Sequence, residues 1–297
     1  SILSIIGYGQ VRRAVASTVK DIDTPYARVL VVDTIDSRPK RPIRAIVTDP
    51  RGVQSAMFLD APKDDVVFPY LKYYSLASHF QPNIKKGLLI GGAGYTFPPV
   101  FLNTYKNATL DVVEIDPGMT KIARQYFSLA SFETDPRLKI IHADGRIFLN
   151  TAPNDTYDVI FGDAFHNMFS IPFQLTTKEA ITHMHRTLTS DGIVVLNLIS
   201  ALDGPRGQFL RAEYATFASV FPHVMIFGVD SPNKTEEVQN IILIASKSEK
   251  MPSFTNSNPI LQDQLNHRVI EKIRKDLPLL TDDFAPVDQY LMAAVAL

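Results

Sequence analysis

Cysteine is absent from all 297 residues. That excludes disulfides, thiol nucleophiles and cysteine-ligated zinc, and it leaves the redox compartment open. Long hydrophobic runs are missing too, none approaching the roughly twenty residues that a bilayer span needs. Neither sign of charge dominates, since 30 Lys and Arg stand against 31 Asp and Glu for a net charge of −1. No general attraction to nucleic acid or to an acidic membrane surface is therefore expected. No His/Asp/Glu spacing points to a metal, and no Gly-x-Ser-x-Gly elbow points to a hydrolase. Repeats and low-complexity segments are lacking, the nearest thing being the polar linker Ser246 to Asn258. The chain also opens without Met, which suggests processing or a piece excised from a longer protein. Its start, Ser1-Ile2-Leu3-Ser4-Ile5-Ile6, is apolar but brief and lacks a basic flank, unlike a signal peptide.

What is present centres on Gly87 to Asp116. A short apolar run, Gly87-Leu88-Leu89-Ile90, ends abruptly in Gly91-Gly92-Ala93-Gly94. A second apolar run ends in Val112-Val113-Glu114-Ile115-Asp116. Both are too short and too continuously apolar for surface strands, so they suit neighbouring strands buried in a parallel sheet. Glycines after the first strand let the backbone turn tightly and lie against a ligand. Glu114 stands 23 residues after Gly91, about the spacing at which a nucleotide-binding βαβ unit presents a carboxylate to ribose hydroxyls. The full dinucleotide fingerprint is not there, because Tyr95-Thr96-Phe97 replaces the third glycine. Pro98 and Pro99 then open the next helix, in whose first turn proline is tolerated. A ligand without phosphates fits this turn better than one with them.

Length allows one large domain or two smaller ones. Ahead of the central stretch, residues 27–34, 43–49 and 53–59 are β-rich and separated by turn signals, which predicts a small antiparallel sheet. A helix is expected over 67–80, carrying tyrosines at 70, 73 and 74. Strands and helices then alternate: strands at 87–91, 110–115, 138–142, 157–163 and 192–199, and helices at 98–106, 117–127, from Gly145, 176–188 and 206–220. Such alternation means a doubly wound, mostly parallel sheet. Strands 223–229 and 239–246 have only the polar, proline-containing link Asp230 to Glu237 between them, which suits a hairpin. A closing hairpin fits the seven-stranded Rossmann-like sheet of nucleoside-sulfonium-dependent transferases better than that of a nicotinamide dehydrogenase. A last helix is expected over about 259–276. The division read from this pattern is an arm at 1–23, a small β-domain at 24–66 and an α/β domain at 67–297.

In a doubly wound sheet the ligand lies at the carboxyl ends of the strands. Those ends carry the glycine turn, Glu114, His142-Ala143-Asp144-Gly145 and Gly162-Asp163-Ala164-Phe165-His166. An acid at each end suits a cationic or hydroxyl-rich ligand. Asp144 has the position of a helix N-cap, and a capping Asp could also reach an adenine amino group. Asp163 follows the apolar Val159-Ile160-Phe161 with Phe165 and Phe169 close by; partial desolvation there would raise its pKa toward that of a useful general base. Its plain alternative is a strand-end cap. His166 is either a second base or a loop residue. His183 and His185, on a helix with Arg186, read as surface or packing residues.

These residues resemble the spermidine synthase (polyamine aminopropyltransferase) family from about Thr24 to the C-terminus. The resemblance lies in Gly52-Val53-Gln54, the turn LIGGAG (Leu89 to Gly94), VVEIDP (Val112 to Pro117), Asp144-Gly145 and FGDAF (Phe161 to Phe165). Asp163 to Ala180 and Leu280 to Leu291 look most like a divergent branch often fused to membrane helices. The resemblance implies that Gln54, Gly91, Gly92, Gly94, Glu114, Asp144 and Gly145 bind the nucleoside and that Asp163 is the catalytic base, with Tyr70 and His166 on the substrate side. It also implies a small amine acceptor, a homodimer and a cytoplasmic location, either as a free protein or as the cytoplasmic domain of a membrane-anchored parent chain. Two departures stand out. Gly94 takes the place of the Asp that usually grips the donor's amine, and His166 that of a second Asp three residues after the catalytic one.

The function this implies is transfer of an aminopropyl group from decarboxylated S-adenosylmethionine to an amine, without a metal. Two alternatives remain open: methyl transfer from S-adenosylmethionine itself to a small amine, and a non-catalytic nucleoside-binding or dimerisation module.

Overall fold

A computed structural model describes residues 20–36, 40–48, 52–163 and 172–295. Its first sheet is four-stranded and antiparallel, in the order β1 (Lys20–Asp23), β2 (Arg28–Ile35), β3 (Pro42–Thr48), β4 (Gly52–Phe58). The strands β2 and β3 are Val- and Ile-rich, as a half-buried pleated surface favours. The strand β1 lies in the stretch expected to be an arm. Its pairing is set by a tight turn in which the Thr24 hydroxyl accepts from the amides of Tyr26 and Ala27, at 3.2 and 2.9 Å.

The helix expected over 67–80 is broken into α1 (Pro69–Tyr73), a 3₁₀ turn (Tyr74–Leu76) and α2 (Ala77–Phe80). It starts late because Phe68, preceding Pro69, is held extended. The tightening follows Ser75, whose hydroxyl donates to the Lys72 carbonyl at 2.6 Å and so competes with the helix ladder.

The second sheet is seven-stranded. Its elements run β5 (Lys86–Ile90), α3 (Pro98–Thr104), β6 (Thr109–Glu114), α4 (Pro117–Tyr126), β7 (Leu138–His142), α5 (Gly145–Thr151) and β8 (Tyr157–Gly162). They continue through α6 (Lys178–Thr187), β9 (Leu188–Ser200), α7 (Gln208–Phe217), β10 (His223–Gly228) and β11 (Gln239–Ser246). The strand order is β10-β11-β9-β8-β5-β6-β7. Pairs from β9 to β7 are parallel, while β11 runs antiparallel to both β9 and β10. The doubly wound sheet and its closing hairpin are thus as the alternation predicts.

Three further elements differ from the sequence reading. The strand β9 begins at Leu188, directly from α6. The helix α8 (Pro259–Asn266) ends ten residues early, because the chain beyond it pairs with β10: Gly228 donates to the His267 carbonyl at 3.1 Å and Val269 to that of Ile226 at 2.8 Å. Covering an exposed strand edge outweighs continuing the helix. A further helix, α9 (Val287–Val295), follows Pro286 and buries Val287, Tyr290 and Leu291.

Side chains alternate across the large sheet and build a core on each face. One face buries Leu88, Ile160, Val194, Leu196 and Leu243 against Ile181, Phe209 and Phe217. The other buries Leu89, Val112, Phe161, Val195 and Ile244 in one cluster with Val29, Ile46 and Ala56 of the small sheet. The small sheet therefore lies on the large one, at the face from which α1 also packs.

Candidate active site

Four strands of the large sheet end together at the candidate site. Gly91 donates to the Val113 carbonyl at 2.9 Å, Ala143 to that of Glu114 at 3.2 Å, and Asp163 to that of Ile90 at 2.9 Å. These three bonds stitch the carboxyl ends of β5, β6, β7 and β8 into one rim. The rim carries the glycine turn, Glu114, Asp144 and Asp163, four features that lie far apart in sequence.

The glycine turn is held from below by Glu114. Its Oε2 accepts from the amides of Gly92 and Ala93 at 2.8 and 3.0 Å, and its Oε1 from Asp116 at 2.9 Å. A carboxylate has about four acceptor positions, so a ribose hydroxyl would meet Oε1, which takes one amide, before Oε2, which takes two. Within the turn Gly91 has φ 97°, and Ala93 and Tyr95 also lie in the left-handed region, at 42° and 54°. Left-handed backbone is a real cost for Tyr, and Tyr95 is anchored by its buried hydroxyl, 2.7 Å from Thr120 Oγ1. His142 Nε2 meets the same oxygen at 3.0 Å.

The other glycines do work within the protein itself. A Cβ on Gly92 would lie 2.7 Å from the Tyr95 ring, and one on Gly145 would lie 2.8 Å from Ile90 Cγ2. At Gly94 a Cβ would lie 2.5 Å from Ser55 Oγ, so β4 fills the space that a side chain on the turn would need. The small sheet thus reaches the rim. Its Gln54 sits where the β3–β4 register shifts by one residue, and its amide donates to Thr48 Oγ1 at 2.9 Å. A bulge of this kind re-aims a side chain out of the regular alternation.

Asp144 is the N-cap of α5, its Oδ1 accepting from Arg146 and Ile147 at 2.7 and 3.0 Å. Both cap bonds land on one oxygen, so the capping role leaves Oδ2 out of the helix. Asp163 lies just past β8, half-buried. Tyr74 donates to its Oδ1 at 2.8 Å, and Tyr70 makes a longer contact with Oδ2 at 3.5 Å. Burial raises the pKa of both phenols well above the ordinary value, and the Asp163 charge raises it further. Both are therefore neutral donors at any physiological pH.

His166 lies outside the described residues. Tyr74 was not among the candidate residues, although its place four residues after Tyr70 puts the two on one helix face. Ser55 carried no signal in sequence, since its role comes from a contact between two sheets. Among the described residues no group of three or more His, Asp or Glu could hold a metal ion. No helix there is long and apolar enough to cross a membrane.

A seven-stranded sheet in this order, with a small antiparallel sheet beside it, defines a methyltransferase-like α/β class. The crystal structure of a probable spermidine synthase from Corynebacterium glutamicum has this fold, with a TM-score of 0.67 at 22% identity over 84% of this chain and 85% of that one. The spermine/spermidine synthase domain model matches residues 73–250. The chain belongs to that family, and it is an enzyme. A polyamine aminopropyltransferase of Vibrio vulnificus is 25% identical over 247 residues, covering 80% of each chain. A probable polyamine aminopropyl transferase of Bifidobacterium longum is 28% identical, and there the match covers 72% of this chain but only 50% of the relative. The resemblance to a membrane-linked branch gains no support from these matches.

Proposed function

We propose that this protein moves an aminopropyl group from decarboxylated S-adenosylmethionine to a small amine and releases methylthioadenosine. The observation that carries this reading is Asp163, half-buried at the rim with two neutral phenols on its carboxylate, in a chain of this family. An acceptor amine has a pKa of about 10.4, so at neutral pH it is protonated and cannot attack. Asp163 takes that proton. The freed nitrogen pair forms a bond to the donor carbon next to the sulfonium, the carbon–sulfur bond breaks, and its electron pair stays on sulfur. The sulfonium is already a good leaving group, so the protein need only orient, deprotonate and exclude water.

In this reading Glu114 holds the ribose, and Asp144 and Gln54 hold the nucleoside with it. Gly91, Gly92 and Gly94 bring the backbone close to the sulfonium tail, with Gly145 setting the start of α5. Tyr70 lines the acceptor side, and His166 is a second substrate-side candidate on the resemblance alone. The donor's tail meets hydroxyls, because Ser55 Oγ and Thr96 Oγ1, 3.4 Å apart, stand beside Gly94 in place of a turn carboxylate. The same reading carries a cytoplasmic homodimer, whether free or part of a membrane-anchored parent chain; sedimentation and cell fractionation test these points.

Product analysis tests the chemistry. Incubation with a primary diamine and each sulfonium donor in turn should yield methylthioadenosine from the decarboxylated donor. Formation of S-adenosylhomocysteine from S-adenosylmethionine instead would overturn the aminopropyl reading. Asp163→Asn keeps shape but loses the base, so turnover should fall by roughly 10²–10⁴ with methylthioadenosine affinity little changed. A strand-end cap would behave otherwise, because Asn caps about as well as Asp.

A further inference from the structure

Tyr74 takes no part in the proposed reaction, yet its hydroxyl donates to the proposed base at 2.8 Å, a shorter bond than the 3.5 Å contact of Tyr70. The residue is only 1% exposed. Its ring packs edge-on against Phe97, with centroids 5.0 Å apart, and tilted against Phe161 at 5.1 Å. For packing alone, phenylalanine would serve that pocket better, since a buried hydroxyl is costly unless it is hydrogen-bonded. The Tyr74 hydroxyl donates its one proton to Asp163 Oδ1 at 2.8 Å, with the Gly162 carbonyl further off at 3.4 Å.

Its placement is built by the chain around it. Tyr74 opens the 3₁₀ turn after α1, which Ser75 tightens through its bonds to the Lys72 carbonyl and to Gln264 Oε1, at 2.6 and 2.8 Å. Gln264 in turn donates to the same Lys72 carbonyl at 2.8 Å. The turn is thereby clamped to α8, and the tyrosine cannot swing away from the sheet. Tyr70, one helical turn earlier, lies 5.8 Å from it between ring centroids.

We infer that Tyr74 is a positioning residue for Asp163, locking its carboxylate rotamer so that Oδ2 faces the acceptor amine. The inference rests on the reading of Asp163 as the base. Rotation about its side-chain bonds lets an aspartate offer either oxygen in several directions. A neutral donor fixed on Oδ1 removes that freedom without supplying a charge, and it cannot itself take the proton.

The test is a double-mutant cycle on turnover with the decarboxylated donor and a diamine. Tyr74→Phe keeps the ring and its packing, and a thermal melt checks that it is folded. It should lower kcat about 10- to 100-fold, the scale of losing a hydrogen bond to a charged group, with KM for the donor and affinity for methylthioadenosine unchanged. In an Asp163→Asn background the same substitution should cost almost nothing more, because the carboxylate through which it acts is gone. Near-normal kcat in Tyr74→Phe would overturn the inference, and so would a loss that adds in full to that of Asp163→Asn. Failure of the underlying reading shows separately, as near-normal turnover in Asp163→Asn alone.

Discussion

Glu213 on α7 is the residue whose chemistry is least matched to its surroundings. It is fully buried, and neither carboxyl oxygen has a hydrogen-bond partner among the described residues. Desolvation alone raises its pKa well above the ordinary value. The sign of the consequence follows from linkage. Between the unfolded pKa, about 4.3 for Glu, and the higher folded value, the native state holds a proton that the unfolded state has lost, so stability falls as pH rises through that window. The contribution of Glu213 is fully present only below the unfolded pKa. Glu213→Gln keeps the size and removes the titration, so the variant should gain on the wild type as pH rises from about 4.3. Urea midpoints for both proteins at pH 5 and pH 8 check this; a difference that does not grow with pH refutes it. Nothing in the periodic pattern of α7 marked this position, because an isolated Glu on a helix normally faces water.

At the scale of elements, Arg146 connects the rim to the C-terminal part of the chain. It lies one residue past Gly145, with only 15% of its side chain exposed, and forks onto both oxygens of Asp282 at 2.6 and 3.0 Å. It also donates to the Gln174 carbonyl at 3.0 Å and to the Thr177 hydroxyl at 2.9 Å. Burial opposes ionisation of Asp282, yet the Thr177 and Arg146 hydrogen bonds outweigh it and lower its pKa. Arg146→Ala should therefore cost roughly 1.5–3 kcal/mol, the worth of a hydrogen bond to a charged group. Arg274→Ala, whose side chain is 53% exposed in its pair with Asp203, should cost well under that. Chemical denaturation ranks the two, and an equal cost would mean that the Arg146 fork adds nothing. The strands and helices around this network were legible as periodic runs. The bond from Arg146 to Asp282 was not, because it spans 136 residues.

Over the whole molecule, the two sheets share a single apolar cluster that runs from Val29 and Ile46 to Phe161 and Ile244. A cluster of that extent cannot be halved without exposing both sides, so the small sheet should not unfold on its own. Far-ultraviolet circular dichroism and tyrosine fluorescence should report one coincident urea transition. A separate early transition confined to the small sheet would show that residues 20–58 fold independently of the rest. The division into a small β-domain and an α/β domain would then describe stability as well as architecture.

The sequence by itself determined the architecture and which residues lie on the rim at the strand ends. Short continuous apolar runs suit buried strands, and their alternation with helices sends the carboxyl ends of the parallel strands to one edge. Glycines and acids at those ends could be read at once, because turn geometry and strand termini are local properties. Tertiary structure decided what each of these residues holds. Glu114 was legible as an acid but not as the anchor of three backbone amides. The end of α8 was decided by the open edge of β10 and not by any stop signal within the helix. Ser55 against Gly94, and Tyr74 against Asp163 across 89 residues, join segments whose spacing in the chain carries no trace of their contact. Periodicity reports which face of an element is apolar, while only packing settles which residue that face meets.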